Sequence, residues 1–242
     1  MEELTLLGER AVQAKYELQR MTTEKKNEVL EAVAEALIQN TEYLLLENHK
    51  DLERGIANQM NPGLVDRLRL TKERIAGMAE GIRQIVKLPD PVGEILDDYE
   101  AENGLHIVKK RVPMGVIGII YESRPNVTAD AFGLCFKSGS AVILKGGSDA
   151  IRSNMAITKV IQDAVVRKGV DPYVIQLIES TDRSVVNEFM KMKQYVDLLI
   201  PRGGAGLIRS VVENSTVPVI ETGTGNCHIF VDETADFNMA LD

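Results

Sequence analysis

From residue 116 onward, short β-branched runs alternate with helical segments, and no other feature of the sequence constrains the fold as strongly. "GVIGIIY", "SAVILKG", "YVIQLIE", "VDLLIPRG" and "VPVIET" read as strands. Between them, "DAFGLCFKSG", "SDAIRSNMAITKVIQDAVVRKG", "TDRSVVNEFMKM" and "AGLIRSVVENS" read as helices, the first two stopping at Gly139 and Gly169. Strands that are apolar on both faces need helices above and below, and the crossovers between them run right-handed. The expected class is therefore α/β: a mostly parallel sheet with helices on both faces. "CHIFVD" reads as one more buried strand, and "DFNMALD" as a helix that starts after an acidic loop, with no C-cap glycine following.

The region before this sheet follows a different period. Up to about Leu88, apolar residues recur at three- and four-residue spacing, as in "KNEVLEAVAEALIQNTEYLLLENHKDL". Thr22 or Thr23, Asn61 before Pro62, and Thr71 are suited to cap these helices, which read as scaffold. "LPDPVGEI" ends the helical regime, and extended segments then flank Asn103-Gly104. Asn-Gly suits the two positive-φ positions of a type I′ turn, which predicts a projecting β-hairpin. Its apolar residues, Ile95, Leu105, Ile107 and Val108, need a surface to cover them, either on the same chain or on a second copy.

Charge and cysteine content exclude several functions. The 242 residues carry 28 Lys plus Arg against 36 Asp plus Glu, a net charge of −8, so a general nucleic-acid binder is not expected. No apolar run is long enough to cross a bilayer and the N-terminus lacks the order of a signal peptide, which predicts a cytoplasmic protein without membrane contact. Cys135 and Cys227 with His49, His106 and His228 have no zinc spacing, and no metal is expected. Cys227 stands beside His228, but adjacent side chains in an extended segment point to opposite faces.

In a parallel α/β sheet, ligands bind beyond the carboxyl ends of the strands, so the turns there are where chemistry is sought. In "YESRPNVTADAF", Asn126 has an amide that can donate to a ligand oxygen as an oxyanion hole requires, or can cap the helix that follows, the commoner role. Arg124, next to Ser123, can clamp a carboxylate or phosphate, although most arginines are simply solvated. In "ILKGGSDA", Lys145 precedes bare backbone at Gly146 and a capping Ser148, where a ribose or phosphate can sit. In "LIPRGGAGLIRS", Gly203, Gly204 and Gly206 either let a phosphate approach a helix N-terminus or simply make a tight turn. Neither stretch completes a Walker loop or a full G-x-G-x-x-G fingerprint. Glu221, in "IETGTGNCH", is a possible general base or a solvated acid. Cys135 and Cys227 read as small buried hydrophobes.

The order of these four turns resembles the N-terminal part of the γ-glutamyl phosphate reductase (glutamate-5-semialdehyde dehydrogenase) family, within the aldehyde dehydrogenase superfamily. The most specific stretches are "RVPMGVIGIIYESRPNVTADAFGLCFKSGSAVILKGGSDA" and "VIETGTGNCHIFVD". The resemblance implies a Rossmann-like cofactor domain divided into N-terminal helices (1–93), an oligomerisation hairpin (94–112) and a core (113–242) that stops before the catalytic domain. It implies NADPH-dependent reduction of L-glutamyl 5-phosphate to L-glutamate 5-semialdehyde and phosphate in proline biosynthesis, a homo-oligomer built through the hairpin, and glutamate 5-kinase as a candidate partner.

Residue by residue, the resemblance makes Asn126 the oxyanion-binding asparagine and Lys145 the lysine that contacts the adenosine ribose. Ser148 stands where NAD-using relatives often carry a glutamate, which leaves room for a 2′-phosphate, although Asp149 is adjacent. Glu221 matches a base that activates water for thioester hydrolysis, a step a reductase does not need. The family's nucleophilic cysteine is expected beyond residue 242, with Cys227 a framework position. The alternative is therefore a catalytically silent cofactor-binding and assembly fragment.

Overall fold

A computed structural model describes residues 2–223 and 228–241. Five helices come first: α1 (Glu2–Leu18), α2 (Thr23–Gln39), α3 (Thr41–Ala57), α4 (Pro62–Leu68) and α5 (Lys72–Lys87). Their starts follow the expected chemistry. Thr22, Asn61 and Thr71 each accept a backbone N–H of the first turn through their side chains, and Pro62 takes the first helical position of α4.

A two-stranded antiparallel sheet follows, β1 (Ile95–Glu100) with β2 (His106–Lys110). The hairpin is as expected but its turn is not type I′. The Ala101 N–H donates to Leu105 O (2.8 Å), the Gly104 N–H donates to Ala101 O (2.8 Å), and of the Asn-Gly pair only Gly104 has positive φ, at +79°. This is a three-residue loop in which a type I turn is followed by a left-handed glycine. Asn103 stays out of the left-handed region and its side chain accepts the Leu105 N–H instead (3.2 Å).

The core is a four-stranded parallel sheet of order β5-β4-β3-β6, made by β3 (Val116–Tyr121), β4 (Ala141–Lys145), β5 (Ile175–Leu177) and β6 (Leu198–Arg202). The crossovers carry α6 (Asn126–Lys137), α7 (Ile151–Arg167), α8 (Arg183–Phe189), and α9 (Ala205–Asn214) follows β6. Every residue of β3 is buried. Ile117, Ile119 and Tyr121 face a core shared with α2, α3, α5, α6 and α7, while Val116 and Ile120 face a second core with Phe189, Leu199 and Val211. Helix α1 closes the β5 side by giving Leu4 and Ala11 to the second core and Ala14 and Leu18 to the first. The α/β class with helices on both faces is thus observed.

Two expected strands do not form. Beside β6, "VPVIET" makes one isolated parallel bridge, Leu199 to Val219. The ladder cannot extend because Pro201 has no N–H for the next rung and the Asp197 N–H is already donated to Val116 O (2.9 Å). Of "CHIFVD", the described residues 228–232 have no strand alongside them among the described residues, and Ile229 and Phe230 are each 87% exposed instead of buried. Residues 237–241 do form a short helix, α10 (Phe237–Leu241). No helix of the described residues is long and apolar enough to cross a membrane.

The N-terminal helices are joined to the sheet by buried polar ties. Lys26 on α2 is 1% exposed and donates to Asp90 Oδ2 (2.9 Å) and to Lys137 O (3.3 Å) at the end of α6. Thr23 Oγ1 and the Val92 N–H also donate to the Asp90 carboxylate. Burial pushes the Asp90 carboxyl up, but the Lys26 ammonium and these two donors outweigh it and hold it below its ordinary value. A depressed folded-state value means that this group stabilises the fold above the unfolded pKa of about 3.9 and that the contribution is lost as pH falls through the folded value. Asp90→Asn should leave Lys26 buried without its counter-ion, costing about 3 kcal/mol at neutral pH. Urea melts from pH 7 down to pH 2 should show the wild type losing stability below about pH 4, with a correspondingly flatter acid limb in the variant.

Candidate active-site cleft

Register brings three turns to one end of the sheet. Ile120 is paired with both Lys145 and Pro201, and Tyr121 with Arg202, so β3, β4 and β6 finish level with one another. Beyond them lies a cleft of about 390 Å³ lined by Leu64 and Arg67 from α4, by Glu122, Ser123, Arg124 and Val127, by Arg202, Gly203 and Gly204, and by Thr222 and Gly223. A second cleft of about 470 Å³ shares Arg67 and Arg124 with the first and holds Asn126 and Asp130.

Backbone hydrogen bonds, within the turn and to β6, build the turn after β3. The Glu122 N–H donates to Arg202 O (3.3 Å), the Arg124 N–H to Glu122 O (2.8 Å) and the Val127 N–H to Arg124 O (3.1 Å). Pro125 occupies the N-cap position of α6 with helical dihedrals, so Asn126 is the first helical residue and makes no capping bond. The Asn126 amide instead donates to Asp130 Oδ2, one turn along, at 3.0 Å. An amide NH₂ has two donors, so one remains for a ligand. Burial pushes the Asp130 carboxyl up, opposed by the Asn126 amide and the Arg202 guanidinium.

The turn after β4 is more enclosed than the sequence implies. Lys145 is only 5% exposed and its ammonium donates to Gly146 O (2.8 Å), and burial pulls its pKa below the ordinary lysine value. Ser148 is exposed and starts a 3₁₀ turn at Ser148–Ala150, whose N-cap is Gly147. Ser148 makes no capping bond. Its carbonyl and that of Asp149 accept from Arg54 Nη2 at 2.7 and 3.0 Å. The Asp149 carboxylate accepts from the Ser123 hydroxyl at 3.4 Å, tying this turn to the one after β3.

At the turn after β6, Gly203 and Gly204 line the cleft, whereas Gly206 lies in the first turn of α9 with open space around it. The α9 N-terminus already has an anion in place. Glu122 Oε2 accepts the Gly204 N–H at 3.1 Å, and a Cβ on Gly203 would lie 2.6 Å from the Glu122 carboxyl carbon. Glycine at 203 thus admits the chain's own carboxylate to the seat expected for a phosphate. A helix N-terminus favours either anion for the same dipolar reason.

The other chemistry-bearing residues lie apart. Glu221 is exposed and is not among the cleft-lining residues, although Thr222 and Gly223 are, with Thr222 Oγ1 donating to Pro201 O (2.9 Å). Cys135 is buried on α6 and burial pushes its thiol up to about 12, which keeps it protonated and unreactive. Cys227 lies outside the described residues. Among the described residues, no group of three or more His, Cys, Asp or Glu side chains is placed to hold a metal ion. Arg67, Glu122 and Arg202 were not singled out in the sequence. Glu122 and Arg202 flank the turns that were, while Arg67 is on a short helix that reads from sequence as scaffold.

Behind the cleft, Tyr121 OH is hydrogen-bonded to Thr128 Oγ1 (2.7 Å), which also reaches Asn154 Oδ1 (3.2 Å). Burial pushes the Tyr121 phenol far up, so it stays neutral. Gly146 packs directly on this group: a Cβ there would be 2.3 Å from Asn154 Nδ2 and 3.0 Å from Tyr121 Cζ. Gly146→Ala should therefore overpack the floor and lower stability by about 1–3 kcal/mol. Gly206→Ala, which meets nothing, should leave the melting temperature unchanged or slightly raised. Thermal melts of the two variants check the contrast.

Residues 2–242 match the aldehyde dehydrogenase family. The chain is 54% identical over 242 residues to the gamma-glutamyl phosphate reductase of Clostridium botulinum (strain Eklund 17B / Type B), covering all of this chain and 58% of that protein. It is 57% identical over 241 residues to the protein of the same name from Lachnospira eligens, with the same coverage. A crystal structure of gamma-glutamyl phosphate reductase from Thermotoga maritima superposes with a TM-score of 0.91 at 44% identity, covering 98% of this chain and 57% of that one. The Saccharomyces cerevisiae protein of that name gives 0.83 at 30% identity, covering 96% and 59%. The chain thus spans less than two thirds of the length of these relatives.

Proposed function

The chain belongs to the aldehyde dehydrogenase family, and from that premise we propose that it serves the NADPH-dependent reduction of L-glutamyl 5-phosphate to L-glutamate 5-semialdehyde and phosphate, a step of proline biosynthesis. The observation that carries this reading is the cleft. In a chain of net charge −8, it gathers Arg67, Arg124 and Arg202 with bare glycine backbone at the carboxyl end of the sheet. An anionic substrate and an anionic cofactor are what such a site favours.

For the substrate, Arg124 offers its guanidinium to an anionic group of the molecule, beside Ser123, whose one hydroxyl proton is donated to Asp149. Asn126 offers its second amide N–H to the carbonyl oxygen, where negative charge develops when the acyl group is attacked. The neighbouring Asp130 fixes the orientation of that amide. Attack on an acyl phosphate by a thiolate is the family's expected chemistry, and Cys135 cannot provide it because its thiol is enclosed and protonated. Glu221, exposed and not among the cleft-lining residues, has no water to activate in a reductive reaction.

For the cofactor, the fit rests on Lys145: its buried ammonium has one acceptor, Gly146 O, among the described residues, leaving N–H donors for a ribose hydroxyl or phosphate. Gly146 and the exposed Ser148 stand beside it, and Gly203, Gly204 and Gly206 border the α9 N-terminus. When bound, the nicotinamide supplies the hydride. Specificity for NADPH is supported by the absence of an acid at position 148, while the nearby Asp149 carboxylate is engaged with Ser123.

The exposed apolar residues of the hairpin, among them Ile95 (58%) and Leu105 (59%), support self-association through β1 and β2. Calorimetric titration should give NADPH an affinity at least about tenfold tighter than NADH, since a 2′-phosphate gains charge-assisted hydrogen bonds. Ser148→Glu should reverse that order and Lys145→Met should weaken both cofactors. Equal affinities in the wild type would count against NADPH preference, and retention of full affinity in Lys145→Met against this nucleotide site.

A further inference from the structure

Arg67 and Arg124 are the two residues common to both clefts, so the wall between the clefts carries two guanidinium groups from different parts of the chain. Neither makes an ion pair within 4.0 Å among the described residues, although neighbouring charges do. Arg74 is paired with both oxygens of Asp66 at 3.1 and 3.2 Å, and Asp130 is held by the Asn126 amide. The carboxylates of the second cleft thus have partners of their own, while the two shared arginines have none. The Arg67 side chain also makes no hydrogen bond among the described residues, and α4 is otherwise tied down by Leu68, which is fully buried, so nothing local in the fold requires a cation at 67.

We propose that Arg67, together with Arg124, forms a seat for the carboxylate at the far end of the substrate from its reacting carbonyl. Arg67 is then the residue that selects acyl phosphates of α-amino acids over analogues without the α-carboxylate. This inference rests on the substrate reading above. A ligand whose carbonyl lies at Asn126 sits in the second cleft, and its other end meets the shared wall. Planar guanidinium groups suit a carboxylate because they donate in pairs, and a carboxylate there meets two guanidinium groups that have no ion-pair partner within 4.0 Å among the described residues. A methyl or amide group in the same place would leave both arginines without the anion they face.

The test compares two ligands that differ only in that group: L-glutamate and 4-aminobutyrate, whose shared γ-carboxylate stands in for the acyl phosphate. Both are titrated by NMR into the full chain and into Arg67→Gln and Arg67→Lys. The wild type should bind L-glutamate at least about tenfold more tightly than 4-aminobutyrate, as a charge-assisted pair implies. Arg67→Gln should abolish that preference by weakening L-glutamate alone, and Arg67→Lys should restore part of it. If the wild type prefers L-glutamate and Arg67→Gln keeps the preference, the role of Arg67 is overturned while the substrate reading stands. If the wild type has no preference, or binds neither ligand, both are overturned. Arg67→Lys, which keeps the charge, supplies the answer if the glutamine variant fails to fold: a preference as large as that of the wild type would refute the need for guanidinium geometry.

Discussion

The parallel pairing of β3 on both of its edges is the constraint on which the cleft depends. Because β4 and β6 are hydrogen-bonded to β3 in level register, Lys145, Arg202 and the turn beginning at Glu122 arrive at the same end of the sheet. A slip of one residue in either pairing would turn every side chain of that strand to the opposite face. Two separate cores prevent it. Ile117, Ile119 and Tyr121 are locked among helices on one side, and Val116 and Ile120 among others on the opposite side, so neither strand can slide without exposing apolar surface on both faces.

Polar groups are also buried among the helices that cover the sheet. Asp51 on α3 is fully buried, yet its carboxylate accepts the Ser153 N–H (2.8 Å) and hydroxyl (2.7 Å), which fastens α3 to the start of α7. Lys26 and Asp90 do the equivalent for α2 and the end of α6. Helices α6 and α7 are the ones that follow the turns holding Asn126 and Lys145. The N-terminal helices therefore act on the carboxyl end of the sheet at one remove, by fixing the helices that follow two of its turns.

Much of the architecture was legible because its signals are local. Period-two and period-3.6 hydrophobicity, Thr and Asn caps, and Gly139 and Gly169 at φ of +74° and +72° all act within a few residues of themselves. What escaped the sequence depends on partners distant along the chain. The turn at Asn103-Gly104 is governed by the Ala101–Leu105 pairing as well as by its dipeptide. "VPVIET" fails as a strand because Pro201, eighteen residues before Val219, lacks an N–H. Asn126, Lys145, Gly203 and Gly204 were identified individually from their place after strands. Arg67 could be recognised only once α4 was seen to border both clefts, and Glu122 only once its carboxylate was found on Gly204.

That last contact changes what an affinity for this cleft would measure. With Glu122 accepting from Gly204, one of the free N–H groups at the start of α9 already faces a carboxylate before any ligand arrives. An incoming phosphate at that point does not meet an empty field; it trades places with a carboxylate, and the free energy recorded is the difference between two anions at one helix end. A helix N-terminus favours either anion for the same reason, so the measured value understates the attraction of that helix end by whatever the carboxylate already draws from it.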